Sequence, residues 1–543
     1  MKRRFLQFLS FLGFLTVVAV IALIGAFLGR YQIARSLLDL PAFTHSAGAV
    51  DDFSVTTPDG AVLVGDVYKP RGEGPWPTVL MRDPYGVFHH TCPVFVRYGY
   101  ACVFQNTRGR NGSGGVYYPF LNERADGKTT LDWLVKQDFQ DGNIAMWGVS
   151  YLGITQWAVA DILPPEVKTL VIITAHPDIQ QIAYSGGNFA HLIVSSWAAV
   201  SNDLDEDDAL KAANARPGPS STRDFGKHFN WYDDWVQHPW RGDNYWQQDH
   251  YLKLRESPEG TRVPVFVIGG WYDLFIPQQI DYFDRLGSKS RSRLLVHPVG
   301  HGGQAGDVEY PAHSFSLILN SSLAWIGHHT TGAELEHKNG VASYVLGEDR
   351  YAEYDEWPPP TRMKTLAIGE GRYVYDPADP VPSNGGSQVL ADPTAGSHAQ
   401  DDNCARHDVL CFEQESPAKK LHIAGSPEAV IEVASDAEDT SFLVRLVVDN
   451  HNVRESILSL SARDGPDEPA DYTPGERVEL HIVMAPIERV IEAGSTVRIE
   501  VTSSSFPIFH PHPNTTDPWF EATAVTANQT LYGGELRLPV VRR

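Results

Sequence analysis

The stretch "GNIAMWGVSYLGITQWAVA", Gly142 to Ala160, decides the fold. Ile144 to Gly148 reads as a buried strand, and Tyr151 onward opens a helix. Ser150 lies between them, on a turn sharp enough to present its hydroxyl. The common pattern for such a turn is Gly-x-Ser-x-Gly. Gly148 and Ser150 fit it, but Leu152 holds the fifth place and the glycine arrives at Gly153. Gly-x-Ser alone is a weak signal, so the reading depends on partners elsewhere in the chain.

A serine hydroxyl is a weak nucleophile. It needs a base, a group that orients the base, and donors for the oxyanion. In α/β hydrolases the order is Ser, acid, His, each at a strand's C-terminal end. Asp273 follows the apolar run "VFVIGG" within "GGWYDLF", and His301 follows "LLV" within "HPVGHGG". Asp273 also suits a helix N-cap, which does not exclude the acid role. His297 sits inside its strand and reads as packed. Pro298 and Gly300 separate the two histidines, so no helix presents them together to a metal. His510 and His512, in "FHPHPN", read as a proline-rich turn. No metal and no cofactor is expected. One oxyanion donor would be the Tyr151 amide; the other would come from the earlier loop "RDPYG", where Tyr85 offers a phenol.

Strand-like runs alternate with helical ones from "FSVTTPDGAVLVGDVYKP" to "SRLLVHPVGH", which predicts a mostly parallel α/β sheet. Residues 51–177 and 261–333 form this α/β-hydrolase domain. Residues 178–260 break the strand pattern and read as an inserted helical cap. From 334 to 543 the period is two, with turns between, which predicts an all-β jelly-roll sandwich. The cap's Trp231, Trp235, Trp240 and Trp246 either line a substrate pocket or form the cap's own core. "NDLDEDD", Asn202 to Asp208, reads as a solvated helix start.

The length of 543 residues calls for more than one domain, and the net charge of −23 argues against nucleic acid as a partner. Lys2 to Arg4 precede an uncharged run, Phe5 to Gly29. As a helix that run spans about 37 Å, enough for a bilayer core of about 30 Å. The expectation is a transmembrane signal anchor at 1–29 and a stalk at 30–50. The body would then be membrane-anchored and extracytoplasmic, with secretion after cleavage as the alternative. Cys404 and Cys411 share one loop-like segment and could pair.

Taken together, "GNIAMWGVSYLGITQWAVA", "GGWYDLF", "HPVGHGG" and "RDPYG" resemble the cocaine esterase and X-Pro dipeptidyl-peptidase family. There the elbow is commonly Gly-x-Ser-Tyr-x-Gly, as Gly148 to Gly153 spell. "HPWRGDNYW", "YDPADPVPSNGG" and "RHDVLCF" look similar too, so the resemblance runs from about Asp52 to the C-terminus. It implies an α/β-hydrolase domain, a helical cap and a jelly roll. It also implies Ser150 as nucleophile, Asp273 and His301 as its partners, and Tyr85 with the Tyr151 amide as the oxyanion hole. One departure is Pro298-Val299-Gly300-His301, where cocaine esterase has Pro-Trp-Ser-His. The expected activity is hydrolysis of small acyl esters, with amides possible. X-Pro dipeptidyl-peptidase or α-amino acid ester hydrolase activity is the alternative. An inactive hydrolase with a surface- or sugar-binding β module is the reading from a different class.

Overall fold

The computed structural model describes residues 35–36, 40–204, 206–215, 220–387, 395–400 and 403–542. Its first unit is a ten-stranded sheet. In chain order the strands are β1 (Ala47–Thr56), β2 (Val62–Pro70), β3 (Trp76–Asp83), β4 (Ala101–Asn106), β5 (Gln140–Val149) and β6 (Val167–Ile173). After a two-strand hairpin in the cap, β7 (Tyr184–Ser185) and β8 (Asn188–Phe189), come β9 (Val265–Tyr272), β10 (Arg293–Gly300), β11 (Gly340–Val345) and β12 (Arg350–Tyr354). The order across the sheet is β1-β2-β4-β3-β5-β6-β9-β10-β11-β12. The pairs from β4–β3 through to β10–β11 are parallel, and the edges are antiparallel.

Parallel strands covered on both faces read as continuous apolar runs. Every residue of β9 and β10 is buried. Period two still sorts the faces. Leu170 and Ile172 of β6 join one core with Leu294 and Val296, while Val171 and Ile173 join the other with Leu295 and Trp325. Pro58-Asp59-Gly60 makes the β1–β2 turn, with Gly60 at φ +91°, where a Cβ is disfavoured.

The segment from Gln180 to Gly260 is chiefly helical among the described residues and covers the C-terminal ends of the parallel strands. The second unit is a pair of β-sheets. One has the order β20 (Val478–Val483), β17 (Glu428–Ser435), β23 (Ala527–Val541), β16 (Leu421–Gly425), β21 (Ile487–Ile491), with β13 (Thr361–Ile368) and β14 (Gly371–Tyr375) also on β23. The other is β15 (Leu410–Gln414), β22 (Val497–Thr502), β18 (Ser441–Val448), β19 (His451–Ser459). Residues 340–354, inside the region read as the start of the β domain, instead complete the edge of the first sheet. They share period two with the sandwich strands, and Leu346 then bridges to Arg489 of β21. Two disulfides form, Cys92–Cys102 and Cys404–Cys411. Glu500, near the second, is held by Arg445 and Arg498 rather than left for a metal.

The expected membrane anchor needs correction. Among the described residues no helix is long and apolar enough to cross a membrane. The 17-residue helix Phe315–Thr331 spans only about 26 Å at about 1.5 Å per residue, short of a bilayer core. The run Phe5–Gly29 lies outside the described residues, so hydropathy alone carried that reading, and the membrane partner and the membrane-anchored location fall with it. Nor are residues 30–50 all stalk. β1 begins at Ala47, and the Thr44 and His45 amides donate to the Arg97 carbonyl at 3.0 Å.

Candidate active site

Ser150 follows β5 with φ 56° and ψ −122°, a conformation that costs a non-glycine residue about 1–3 kcal/mol. The surrounding bonds hold it there. Its amide donates to the Ile173 carbonyl (2.8 Å), and its carbonyl accepts from the Gly153 and Ile154 amides (2.8 and 3.1 Å). The late glycine has a steric cause. A Cβ on Gly153 would stand 2.6 Å from Ala175 Cβ and 3.2 Å from Ile172 Cγ2. A Cβ on Gly148 would stand 2.4 Å from Leu152 Cβ. Leu152 itself is fully buried in the core containing Trp147 and Val171. Position 153 therefore meets the next strand's end, and position 152 fills the core.

Asp273 caps the end of β9 and is fully buried. Its Oδ1 accepts from the Phe275 amide (2.7 Å), and its Oδ2 accepts from His301 Nδ1 (2.8 Å). Nδ1–H is thereby committed to the carboxylate, which leaves Nε2 free to act as a base. The His301 side chain is 12% exposed. His297, four residues earlier, is buried within β10 and stacks on His313. Desolvation draws it down to about 3, so it is neutral. It contributes to the cavity wall, but the carboxylate's bond goes to His301.

Tyr85 hangs from the loop after β3. The buried Asp83 carboxylate fixes that loop by accepting from the Tyr85 and Phe88 amides (2.8 and 3.1 Å). The Tyr85 hydroxyl accepts from Trp197 Nε1 (2.9 Å), and Tyr85 lines the same cavity as Ser150. Desolvation raises its pKa, so the phenol stays protonated and able to donate. Tyr151 approaches Tyr85 edge-on at 6.3 Å. Its hydroxyl donates to Glu123 Oε1 (2.8 Å), and Glu123 pairs with the buried Arg82 (2.7 Å). That chain anchors the residue whose amide follows Ser150.

The β domain supports both strand ends. The Arg454 guanidinium, buried beneath Tyr272, donates to the Trp271 carbonyl (2.6 Å), two residues before Asp273. Beyond His301, Gly306 bridges to Ser397, and the Asp307 amide donates to the Ser397 carbonyl (2.8 Å). Gly300 is forced by the same contact, since a Cβ there would stand 2.7 Å from Ala395 Cβ. The serine of the cocaine esterase pattern would not fit.

Ser150, His301, Tyr85 and Tyr151 open onto one cavity of about 660 Å³. Phe120, Trp197, Trp235, Phe275, Ile182 and Ile193 give it an apolar wall. Of the four cap tryptophans read as either pocket lining or cap core, only Trp235 lines it. As pocket candidates the other three need correction. Trp231 and Trp246 are buried in the cap's own core, packed against Trp235. Trp240 sits in a turn, its amide donating to Asp243 (3.3 Å). Trp197 was missed because its helix, His191–Ser201, is apolar on most sides and periodicity cannot say which side meets a cavity. Apart from the histidines, the charged groups on the wall among the described residues are Arg110 and Asp203, which pair with each other at 2.8 Å. The acidic run thus sends Asp203 to the cavity, where an arginine meets it.

Known proteins resemble this chain over most of its length. Residues 59–303 match the X-Pro dipeptidyl-peptidase (S15 family), and residues 334–537 match the X-Pro dipeptidyl-peptidase C-terminal non-catalytic domain. The chain is 28% identical to a cocaine esterase of Rhodococcus sp. (strain MB1 Bresler), over 89% of this chain and 97% of that protein. An aminopeptidase from a marine sediment archaeon, Thaumarchaeota archaeon, superposes with a TM-score of 0.80 at 20% identity, covering 92% of this chain and 97% of the other. An α-amino acid ester hydrolase superposes with a TM-score of 0.76, also at 20% identity and the same coverage. At that identity these two likenesses speak for the fold.

Proposed function

From the premise that this chain belongs to the cocaine esterase and X-Pro dipeptidyl-peptidase family of α/β-hydrolases, and is a serine hydrolase, we propose that Ser150, His301 and Asp273 are its catalytic triad and that it cleaves esters of neutral, apolar acyl groups. The observation that carries this is the Asp273–His301 bond beside an elbow serine on one apolar cavity.

The chemistry runs in two steps. His301 Nε2 takes the proton from Ser150 Oγ as the oxygen attacks the ester carbonyl. Asp273 holds the imidazole in that tautomer and stabilises the imidazolium. The Tyr151 amide and the Tyr85 hydroxyl donate to the oxyanion, and one such donor is worth about 3–4 kcal/mol. The tetrahedral intermediate collapses, His301 protonates the departing alkoxide, and an acyl-serine remains. Water, deprotonated by the same histidine, attacks that acyl group and restores Ser150.

Preference for neutral esters follows from charge. A substrate ammonium would need a carboxylate to receive it, and Asp203, the one carboxylate on the wall among the described residues, is already matched by Arg110. Peptides with a free N-terminus and α-amino esters both carry that ammonium. The test compares 4-nitrophenyl butyrate, phenylglycine methyl ester and Gly-Pro 4-nitroanilide on one preparation. The butyrate should have the highest kcat/KM by at least tenfold. A higher value for Gly-Pro 4-nitroanilide would make the protein a dipeptidyl-peptidase instead.

A further inference from the structure

We infer that Trp197 is a positioning residue for the oxyanion hole, its indole N–H orienting the Tyr85 hydroxyl so that the phenolic hydrogen is directed at the substrate's carbonyl oxygen. The inference rests on Tyr85 being an oxyanion donor, as proposed above, and adds a role for the cap.

The indole nitrogen is a donor only, whereas a phenolic oxygen both donates one hydrogen and accepts. At 2.9 Å, Trp197 Nε1–H occupies the acceptor side of Tyr85. The phenolic hydrogen cannot point back along that bond. It is left free for another acceptor, and the cavity that Tyr85 lines together with Ser150 is where the carbonyl under attack must lie. Accepting one hydrogen bond also polarises the hydroxyl and makes it a better donor.

The indole is itself fixed. Trp235 and Phe120 stack on it at 5.8 Å each, Tyr151 at 6.3 Å, and Trp231 packs at 4.8 Å. A ring flip that withdrew the N–H would have to displace this aromatic cluster. Trp197 belongs to the cap helix His191–Ser201, whereas Tyr85 belongs to the loop after β3 of the core sheet. The oxyanion hole is therefore assembled across the boundary between core and cap. The cap acts on the chemical step, and its effect on binding is separate.

The test is a double-mutant cycle on the full chain with 4-nitrophenyl butyrate. Trp197→Phe keeps an aromatic ring and removes the N–H. It should lower kcat by about five- to thirtyfold, the range for one lost hydrogen bond, with KM within about twofold. Tyr85→Phe alone should lower kcat by about 10²- to 10³-fold. In the Tyr85→Phe background, Trp197→Phe should have no further effect on kcat. Benzothienylalanine at position 197 keeps the bicyclic ring and loses only the N–H, so it carries the same test if Trp197→Phe folds poorly. An equal loss of kcat in both backgrounds would overturn the inference, because the ring would then act through packing. A raised KM with unchanged kcat would also overturn it, leaving Trp197 as wall. If Tyr85→Phe leaves kcat intact, the oxyanion assignment itself fails and takes the inference with it.

Discussion

Gly153→Ala is the sharpest perturbation of the elbow, because it adds one methyl group at a known place. That methyl would stand 2.6 Å from Ala175 Cβ and 3.2 Å from Ile172 Cγ2. Ordinary carbon–carbon contact is about 3.5–4.0 Å, so the overlap with Ala175 is about 1 Å. Ala175 and Ile172 are both buried and have no room to yield. The helix Tyr151–Trp157 must lift from β6 by about that distance, and Ser150 sits at its head. Overpacking of this kind costs about 1–3 kcal/mol of stability. A displacement of about 1 Å at the reacting atom costs about a hundredfold in rate. The assay is steady-state hydrolysis of 4-nitrophenyl butyrate beside urea unfolding followed by circular dichroism. Ala175→Gly removes the opposing methyl, so the double variant should recover most of the lost activity and stability. Activity within twofold of the wild type for Gly153→Ala, or no recovery on adding Ala175→Gly, would refute the steric account of the late glycine.

Asp273→Asn keeps the shape but presents the wrong partner to His301 Nδ1; kcat should fall by about 10⁴-fold with little change in KM, measured by the same assay. Acid stability should follow His176 and His297, which burial draws from 6.5 down to about 3. Both are neutral when folded and protonate when unfolded, so their stabilisation is complete above about pH 6.5 and is lost as pH falls toward 3. Each contributes a slope of about 1.4 kcal/mol per pH unit in that window. Urea midpoints between pH 6 and 4.5 should therefore fall less steeply for His297→Gln than for the wild type; equal slopes would contradict this. Trp235→Ala should shift acyl-chain preference toward longer esters. Trp246→Ala should leave that preference unchanged, and either substitution should cost about 3–5 kcal/mol of stability because both rings are fully buried.

The α/β sheet and the Ser150, Asp273 and His301 positions were legible because each follows a buried apolar strand, a signal local in sequence. The C-terminal β region was legible from period two, but its first strands were not assignable. β11 and β12 carry the same alternation as the sandwich strands while pairing with β10 and each other. The wall of the cavity was largely illegible. Trp197 and Tyr85 are 112 residues apart, and aromatic content cannot distinguish Trp235, on the wall, from Trp246, behind it. Support from the β domain was invisible for the same reason. Arg454 reads as an ordinary strand arginine until its guanidinium is seen on the Trp271 carbonyl. The Cys92–Cys102 disulfide joins a helix to the strand after it, a closeness that only the folded sheet creates.

The most direct measurement is active-site labelling with a fluorophosphonate, read by mass spectrometry of the peptides. The account predicts one label per chain, on Ser150, with ester hydrolysis lost in step with labelling. It also predicts that Ser150→Ala neither labels nor turns over. A label on another serine, or full hydrolysis by Ser150→Ala, would contradict the claim that this elbow carries the nucleophile.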